Sequence, residues 1–403
     1  MPRLAHGFDL DRLDRITPHM QAYVTRDRIA GWSCDVQRDG ASVWQACGGL
    51  RDREAGLAVE PDTVFRIYSM TKPVTSVAAM MLVEAGQLAL TDPVAGFIPA
   101  FADQQVYRSG SRHAPALEPV SQPMQIIHLL THTSGLTYDF LHAHPVDAMY
   151  RDAGFTWGHH PDADLAEACE IWARTPLLFQ PGAEWNYSVA TDVLGRVVEL
   201  VSGETLDRFF ETRIFKPLGM QDTGFHPTDT QLPRLAALYQ PNADRTAERA
   251  TWADARAHET PRLLSGGGGL YGTLGDYQRF CQMLLNGGEL DGARLLGSRT
   301  VARMLQNHLP GQRELTAVGR PLFSETAFTG MGFGLGFSIV VNPADTPNLC
   351  SAGEAAWGGA ASTAFWVDPR GRLSVVYMTQ LMPSSTWPLR SELRNLVYGA
   401  LVD

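Results

Sequence analysis

The sequence predicts an α+β fold in which both ends of the chain build one antiparallel sheet flanked by helices, with a large, mostly helical domain inserted between them. A helical pattern followed by two β-runs stands near the beginning of the chain, and two β-runs followed by a helical pattern stand near its end. The middle is rich in helical patterns broken by Pro and Gly. We therefore expect a discontinuous sheet domain of residues 1–86 and 327–403 and a helical domain of residues 87–326.

The first half of the predicted sheet follows an amphipathic helix. Residues 9–26 have apolar side chains near helical spacing. The β-runs GWSCDVQ and ASVWQACGG come next, and the Arg-Asp-Gly at 38–40 between them is typical of a hairpin turn. In the second half, the β-runs STAFWVD and RLSVVYMT flank a Pro-Arg-Gly at 369–371, and a helix is expected from about Leu389.

The composition is that of an ordinary globular protein. Hydrophobic residues make up 44% and charged residues 19% of 403 residues, which is enough for a substantial core. The net charge of −10 argues against nucleic acid or an anionic membrane as the main partner. The N-terminus shows no uninterrupted apolar region of a signal peptide, and no apolar stretch reaches the length of a membrane span.

The cysteines indicate a reducing environment. They are odd in number, widely spaced and without a CxxC pair, and they stand at Cys34, Cys47, Cys169, Cys281 and Cys350. Reduced, mostly buried thiols explain this pattern better than a disulfide framework. None of them lies in the motif of a catalytic cysteine. A cytoplasmic location is therefore expected.

Lysine is rare in this chain, and its positions are informative for that reason. Among 33 Lys and Arg residues, only Lys72 and Lys216 are lysine. Lys72 follows Ser69 by three residues in FRIYSMTKPVTSVAAMML. A desolvated lysine amine can give up its proton and act as a base, whereas a guanidinium stays charged. We interpret Ser-x-x-Lys as a nucleophile and its activator; a serine cap followed by a solvated lysine is the common structural alternative.

The segment from Ser69 to Gly86 has the features of a helix. Its apolar residues follow a helical stripe, and Gly86 is a typical C-terminal cap. Pro73 is tolerated only near the first turn, so the helix is expected to begin close to Ser69. This start puts Ser69 and Lys72 on one face. It also leaves the serine near free N–H groups that can stabilise a developing oxyanion.

Other catalytic patterns are missing or incomplete. The chain contains no Gly-x-Ser-x-Gly, so a nucleophile elbow is unsupported. His128 and His132 have i, i+4 spacing, but no glutamate follows the first as in a HExxH metal site. The run SGGGGLYGT at 265–273 lacks the Lys-Ser/Thr of a P-loop and is interpreted as a place of close backbone packing. No metal or cofactor is expected.

Three motifs together carry a family resemblance. SMTK at 69–72 resembles the SxxK of serine β-lactamases, penicillin-binding proteins and the esterases that share their fold. YSV at 187–189 stands in the place of Tyr-x-Asn, and WGG at 357–359 in the place of Lys-Thr-Gly. With LLTHTSGL and FGLGF, this pattern is similar to the family VIII carboxylesterases, relatives of class C β-lactamases, from about residue 65 to 368. The resemblance implies a serine β-lactamase-like fold.

The resemblance also implies a role for each matched residue. Ser69 would be the acylated nucleophile, and Lys72 and Tyr187 together would take its proton and return one to the leaving alcohol. The N–H of Ala360 would be the second oxyanion donor beside that of Ser69. A buried tyrosine with one hydrogen bond is the ordinary alternative for Tyr187.

The same resemblance places the strand of Trp357, Gly358 and Gly359 beside the substrate. The two glycines favour this role, because absent side chains allow backbone to approach a ligand. An aromatic ring packed in the core is the alternative for Trp357. In the family's β-lactamases a lysine at this position helps to hold a substrate carboxylate, and Val189 replaces an asparagine amide. Both departures favour an uncharged ester.

The leading hypothesis is a serine esterase that cleaves carboxylic esters of short- to medium-chain acyl groups through an acyl-enzyme on Ser69. Its partner would be a small-molecule ester, with no metal, cofactor, nucleic acid or membrane; the sequence indicates no oligomeric state. The alternatives are a β-lactamase, D-aminopeptidase or acyltransferase on the same scaffold, or a non-catalytic penicillin-recognition fold that serves as a binding module. An intact Ser-Lys-Tyr set argues against the last, because a sensor has no need of a titratable lysine.

Overall fold

The computed structural model describes residues 3–320 and 322–402 of the chain. Its strands, in chain order, are β1 (Leu4–Ala5), β2 (Phe8–Asp9), β3 (Gly31–Arg38), β4 (Ala41–Asp52), β5 (Leu57–Ala58), β6 (Val64–Arg66), β7 (Gln105–Ser111), β8 (Ala114–Pro119), β9 (Tyr239–Pro241), β10 (Ala247–Arg249), β11 (Tyr271–Thr273), β12 (Glu289–Leu290), β13 (Ala293–Arg294), β14 (Met331–Phe333), β15 (Ser338–Val340), β16 (Ala355–Gly358), β17 (Ala364–Asp368) and β18 (Leu373–Thr379). Its helices are α1 (Leu10–Leu13), α2 (Ile16–Thr25), α3 (Thr71–Glu84), α4 (Ile126–Leu130), α5 (Pro145–Asp152), α6 (Leu165–Arg174), α7 (Ala190–Ser202), α8 (Leu206–Phe210), α9 (Lys216–Leu218), α10 (Trp252–Ala257), α11 (Leu274–Leu285), α12 (Ser298–Met304), α13 (Leu315–Val318) and α14 (Leu389–Tyr398). Within the described ranges, no helix is long and apolar enough to cross a membrane.

One eight-stranded sheet organises the fold. Its strand order is β14-β15-β16-β17-β18-β3-β4-β5, and every neighbouring pair is antiparallel. The strands β3 to β5 come from the beginning of the chain and β14 to β18 from its end. The two halves meet where β18 pairs with β3, from Leu373 opposite Arg38 to Thr379 opposite Trp32. The predicted sheet built from both ends is confirmed.

The hairpin between β3 and β4 closes as its turn residues predict. Asp39 and Gly40 both have positive φ, at 55° and 79°. Two consecutive left-handed residues form a type I′ turn, whose twist matches that of the paired strands. The strand after the turn continues further than the sequence pattern predicted, to Asp52.

Helices cover both faces of the sheet, and β18 shows this directly. Val375 and Tyr377 belong to a core that α2 and α14 complete. Val376 and Met378 belong to the larger core, which includes α3 and α11. Because strand side chains alternate between faces, the one strand serves two cores.

The predicted helix over residues 9–26 is interrupted. It divides into α1 and α2, with a turn at Asp14 and Arg15. Pro18 explains the interruption, because a proline ring inside a helix clashes with the carbonyl four residues earlier, which here belongs to Asp14. Restarting the helix at Ile16 puts Pro18 in the first turn, where proline is tolerated.

Helix α3 forms the centre of the larger core. It is buried along most of its length and begins at Thr71, directly after a 3₁₀ turn at Tyr68–Met70. Pro73 lies in its first turn, and Gly86, with φ of 69°, follows its C-terminus. The predicted helix is confirmed, with Ser69 in the turn that leads into it.

The middle segment, residues 87–326, contains more helix than strand, and it is joined closely to the sheet. Helix α11 packs against β17 and β18, and α7 packs against α3. One continuous apolar core includes residues from all of these elements. The division into domains at residues 86/87 and 326/327 stays a prediction.

Candidate active site

Ser69 lies in the short turn between β6 and α3. The residue before it, Tyr68, has a left-handed backbone with φ of 44°. Such conformations typically cost about 1–3 kcal/mol and cluster at functional sites. The turn leaves Ser69 at the wall of a cavity of about 720 Å³, although the residue is only 9% exposed.

Lys72 stands one helical turn further and is almost completely buried. Its Nζ lies 3.2 Å from Oγ of Ser69 and donates a 2.6 Å hydrogen bond to the carbonyl oxygen of Gly267. Burial lowers the pKa of Lys72 to about 8, and the negative charges of Asp192 and Glu325 oppose this shift. A burial penalty acts on the charged form of the amine, so this lysine can be neutral near physiological pH.

Tyr187 reaches the same serine from the other side. Its hydroxyl donates a hydrogen bond of 2.5 Å to Oγ of Ser69. Burial raises the pKa of Tyr187 well above its ordinary value, and the charge of Glu325 raises it further. Nζ of Lys72 lies 4.6 Å from the centroid of the Tyr187 ring. The phenol is therefore protonated at neutral pH and is a donor to Ser69.

The glycine-rich run holds the acceptor for Lys72 in place. Oδ1 of Asp192, on α7, accepts hydrogen bonds from the Gly267 N–H at 3.0 Å and from the hydroxyl of Ser265 at 2.5 Å. A Cβ on Gly267 would lie 2.3 Å from the Asp192 carboxylate. The expected close packing of this run is confirmed. The run also holds the carbonyl oxygen that accepts the hydrogen bond of Lys72.

The loop after β16 approaches the turn that carries the serine. A Cβ on Gly359 would lie 2.3 Å from the carbonyl oxygen of Ile67, so only glycine fits there without displacement. Ala360 follows and lines the same cavity as Ser69. Across the described ranges, the N–H groups of Ser69 and Ala360 have no hydrogen-bond partner. Two free donors beside a nucleophile have the composition of an oxyanion hole.

Trp357 lies behind Tyr187. Its ring is 2% exposed, and its centroid is 5.4 Å from those of Tyr187 and Phe333. It lines a second, smaller cavity of about 300 Å³, whereas the larger cavity at Ser69 is bounded by other side chains. Burial raises the pKa of Tyr187, and the nearby indole N–H of Trp357 lowers it in part. That N–H has no hydrogen-bond partner among the residues described.

An arginine on α14 leaves no room for a side chain at position 358, so this residue is glycine. A Cβ at this position would lie 2.3 Å from Cζ of Arg390. The Arg390 guanidinium donates to the carbonyl oxygens of Gly359 and Thr363, at 2.7 and 2.8 Å. The arginine thus holds both sides of the loop that carries Ala360.

Sequence reasoning missed Glu325. This side chain is buried, lines the cavity at Ser69, and pairs through Oε2 with Arg390 at 2.6 Å and with the hydroxyl of Ser384 at 3.0 Å. Its Oε1 has no partner in the described part of the chain. No motif or periodicity marks this position. Asp192, also missed, carried a signal: an acidic residue inside the apolar helical pattern of α7.

His128 and His132, the two histidines with i, i+4 spacing, each make a hydrogen bond that holds the local structure. Nδ1 of His132 lies 3.2 Å from Oγ of Ser188, and its ring packs edge-on against Tyr187 with centroids 5.2 Å apart. Burial holds the pKa of His132 well below its ordinary value, so the ring is neutral. Nδ1 of His128 accepts a hydrogen bond from the N–H of Gln125 at the start of α4. Residues 3–320 and 322–402 contain no group of three His, Cys, Asp or Glu side chains that could hold a metal ion.

Comparison with known proteins identifies the family. The family model described as beta-lactamase matches residues 16–398. Esterase EstB of Burkholderia gladioli is 33% identical over 391 residues, which cover 92% of this chain and 91% of the esterase. Acyltransferase calJ of Penicillium decumbens is 30% identical over 333 residues, covering 80% and 77% of the two chains.

A solved structure agrees with these sequence relatives. EstCE1, described as a hydrolase with promiscuous acyltransferase activity, superposes with a TM-score of 0.83 and 28% identity over 96% of this chain and 99% of its own. The superposition covers almost the whole of both chains. The chain therefore belongs to the beta-lactamase family and, within it, to the family VIII carboxylesterases, which are serine hydrolases.

Proposed function

We propose that this carboxylesterase cleaves uncharged esters of short- to medium-chain acyl groups through an acyl-enzyme on Ser69. One observation carries the proposal: Oγ of Ser69 lies within hydrogen-bond distance of both Nζ of Lys72 and the hydroxyl of Tyr187. A serine hydroxyl is a weak nucleophile until a base is in reach of its proton. Here a base and an acid reach the same oxygen.

In the first step, neutral Lys72 accepts the proton of Ser69. One N–H of the amine donates to the Gly267 carbonyl, which leaves the lone pair free for the serine hydroxyl. Oγ of Ser69 attacks the ester carbonyl carbon, and the negative charge that develops on the carbonyl oxygen is stabilised by the N–H groups of Ser69 and Ala360.

In the second step, the ester C–O bond breaks and Tyr187 donates its proton to the leaving alkoxide. The Lys72 ammonium returns a proton to the phenolate, so no net charge accumulates. Water then enters, gives a proton to neutral Lys72 and attacks the carbonyl carbon of the acyl-enzyme. As that intermediate collapses, the acid is released, Tyr187 donates its proton to Oγ of Ser69, and the Lys72 ammonium reprotonates the phenolate. These transfers use the same two side chains in both directions.

The charges near the serine support an uncharged substrate. Glu325 places a carboxylate at the cavity wall, and the family's carboxylate-binding lysine is replaced by buried Trp357. Because the Arg390 guanidinium is already paired with Glu325, this pair offers no counter-ion to a substrate carboxylate near Ser69, and a desolvated carboxylate without a counter-ion binds weakly. The cysteines are free thiols, which supports our proposal that the enzyme acts in the cytoplasm.

The test is covalent labelling of the nucleophile. An alkyl fluorophosphonate is expected to add one phosphonyl group to the wild-type protein, located on Ser69 by peptide mass spectrometry. Ser69→Ala should stay unlabelled and inactive but folded, because Oγ of Ser69 bonds only within the site. Ser202→Ala is the control, since its hydroxyl bonds backbone groups at the end of α7. Label on another serine, or esterase activity in Ser69→Ala, would refute the assignment.

Acyl transfer is the second candidate, and the cavity size favours it. A volume of about 720 Å³ exceeds what a short acyl group fills, so an acceptor alcohol fits beside the acyl-enzyme. With p-nitrophenyl butyrate and 1-butanol, a transferase forms butyl butyrate in proportion to the alcohol concentration. Formation of butyric acid alone at all alcohol concentrations would limit the enzyme to hydrolysis.

A further inference from the structure

A series of aromatic rings leads from the catalytic centre along the cavity wall. We call Tyr138, Phe140 and Trp157 the aromatic ladder. The Tyr138 ring contacts that of Tyr187, with centroids 5.1 Å apart. Tyr138 and Phe140 are stacked at 4.6 Å and 23°, and Phe140 and Trp157 at 4.9 Å and 21°. All three rings line the cavity that contains Ser69.

The ladder becomes more exposed with distance from the serine. Tyr138 is 5% exposed, Phe140 is half-buried, and Trp157 is 44% exposed. An indole left this open presents a flat apolar surface to water at the cavity wall. Aromatic faces prefer offset-stacked partners, which are attractive beyond the area that they bury. The open surface therefore fits another flat ring.

Trp157, the outermost residue of the aromatic ladder, is held by the buried carboxylate of Asp139. Trp157 has a left-handed backbone with φ of 54°, which is strained for a bulky residue. The N–H groups of Trp157 and Gly158 each donate a 2.7 Å hydrogen bond to the carboxylate of Asp139, which is 2% exposed. In the chain, Asp139 lies between Tyr138 and Phe140, the two inner residues of the aromatic ladder. It thus fixes the Trp157 ring onto Phe140 despite the strain.

We propose that the aromatic ladder is a binding subsite for a flat aromatic ring of the substrate. The preferred substrates are then esters that carry an aryl group on the acyl or the alcohol side, with the ring on Trp157 and Phe140 and the ester carbonyl at Ser69. This inference rests on the proposed esterase function and adds the substrate class. Strain and exposure at Trp157 are consistent with a position that is kept for binding, because neither benefits the folded protein alone.

The experiment compares flat with saturated rings of similar size. The substrates are 2-naphthylmethyl acetate and ethyl 2-naphthylacetate, each beside its decahydronaphthyl analogue, with ethyl acetate as the ring-free ester. The two aryl esters separate an alcohol-side ring from an acyl-side ring. In the wild type, kcat/KM for at least one aryl ester should exceed that for its saturated analogue by about tenfold, which corresponds to about 1.4 kcal/mol.

Two variants test the location. Trp157→Ala should abolish this flat-ring preference, and because alanine also carries a Cβ, the variant adds no side chain that the left-handed backbone does not already accommodate. Trp252→Ala is the matched control, because Trp252 is 41% exposed and lines the same cavity but packs against Arg256 instead of the ladder. It should keep the preference. As a readout independent of turnover, 2-naphthylacetamide should quench tryptophan fluorescence in Ser69→Ala and quench it less in the Ser69→Ala, Trp157→Ala double variant.

The outcomes separate the subsite from the esterase function. No turnover of any ester, including ethyl acetate, would overturn the proposed function. Turnover with equal kcat/KM for flat and saturated rings would overturn the subsite alone. A flat-ring preference that survives in Trp157→Ala, or that is lost equally in Trp252→Ala, would also overturn it.

Discussion

Nζ of Lys72 donates a 2.6 Å hydrogen bond to the carbonyl oxygen of Gly267, 195 residues later in the chain. A neutral amine has two N–H bonds and one lone pair. Because the carbonyl takes one N–H, the rotation of the amine is restricted and the lone pair can face Oγ of Ser69 at 3.2 Å. The glycine-rich run thus orients the amine that we propose as the base.

Replacing Lys72 by arginine should abolish turnover. Arginine keeps the positive charge but cannot act as a base, and its planar fork does not fit an ammonium-sized site. We expect kcat/KM to fall by at least about 10²-fold, the lower range for loss of a general base. Lys216→Arg is the control: this exposed lysine pairs with Glu211 on the surface. Substantial activity in Lys72→Arg would show that Lys72 acts only as a charge.

The pH dependence should report the titration of Lys72. Only the neutral amine accepts the serine proton, and burial lowers the pKa of Lys72 to about 8. Plotted against pH, kcat/KM for a non-ionising ester should therefore rise and level off above pH 8. A plateau that already extends below pH 6 would contradict a lysine base, because an amine with this pKa is then almost fully protonated.

Asp192→Asn should move that profile to lower pH. The Asp192 carboxylate raises the pKa of Lys72 against the larger effect of burial, so its removal destabilises the ammonium and lowers the midpoint. Both hydrogen bonds that it accepts go to Oδ1, which an asparagine can retain. A midpoint that stays in place or moves to higher pH would remove Asp192 from the electrostatics of the base.

Gly358→Ala should reduce kcat more than it changes KM. The added Cβ would collide with the Arg390 guanidinium, which holds the carbonyl of Gly359 next to the Ala360 donor. Losing one oxyanion donor typically costs about 10²–10³ in kcat. The control is Gly275→Ala in α11, where a Cβ meets nothing within 4 Å. That change should keep activity and stabilise the protein by up to about 1 kcal/mol. Wild-type kcat in a folded Gly358→Ala would contradict this function of the loop.

Esters should be cleaved far more efficiently than β-lactams. A cephalosporin carboxylate would enter the cavity without the lysine that other family members provide, and a desolvated carboxylate without a counter-ion weakens binding. We expect kcat/KM for p-nitrophenyl butyrate to exceed that for a chromogenic cephalosporin by at least about 10²-fold, the effect of roughly 3 kcal/mol. Weak cleavage of the cephalosporin is compatible with this. Equal values, or a higher value for the cephalosporin, would favour a β-lactamase.

Local patterns predicted most of the fold. The two hairpins and the helices beside them follow from alternation, helical spacing and turn residues, which act over a few neighbours. Pro18 shows where the pattern was read too broadly: apolar spacing continued across residues 9–26, but the proline forbids one continuous helix. The pairing of the two halves of the sheet could be predicted because a helix and a hairpin occur at both ends of the chain, in opposite order.

The site was only partly predictable. Ser69, Lys72 and Tyr187 belong to motifs, and the structure brings them together within hydrogen-bond distance. A backbone carbonyl such as that of Gly267 has no sequence signature, because every residue has one. Glu325 acts only through its place in space, beside an arginine from α14. For Trp357, the resemblance placed its strand beside the substrate, which stays a prediction, but no sequence pattern indicated that its ring lies behind Tyr187.

The pairing of β18 with β3 has a consequence for protein synthesis. Ser69 and Lys72 are translated about 290 residues before Ala360 and the strands that position it. At 5–20 residues per second, this delay is on the order of 15–60 s. During that interval the nascent chain contains the proposed nucleophile and base but no completed sheet to hold the proposed second oxyanion donor. We therefore expect the enzyme to become active only after its last strands have been synthesised and paired with β3.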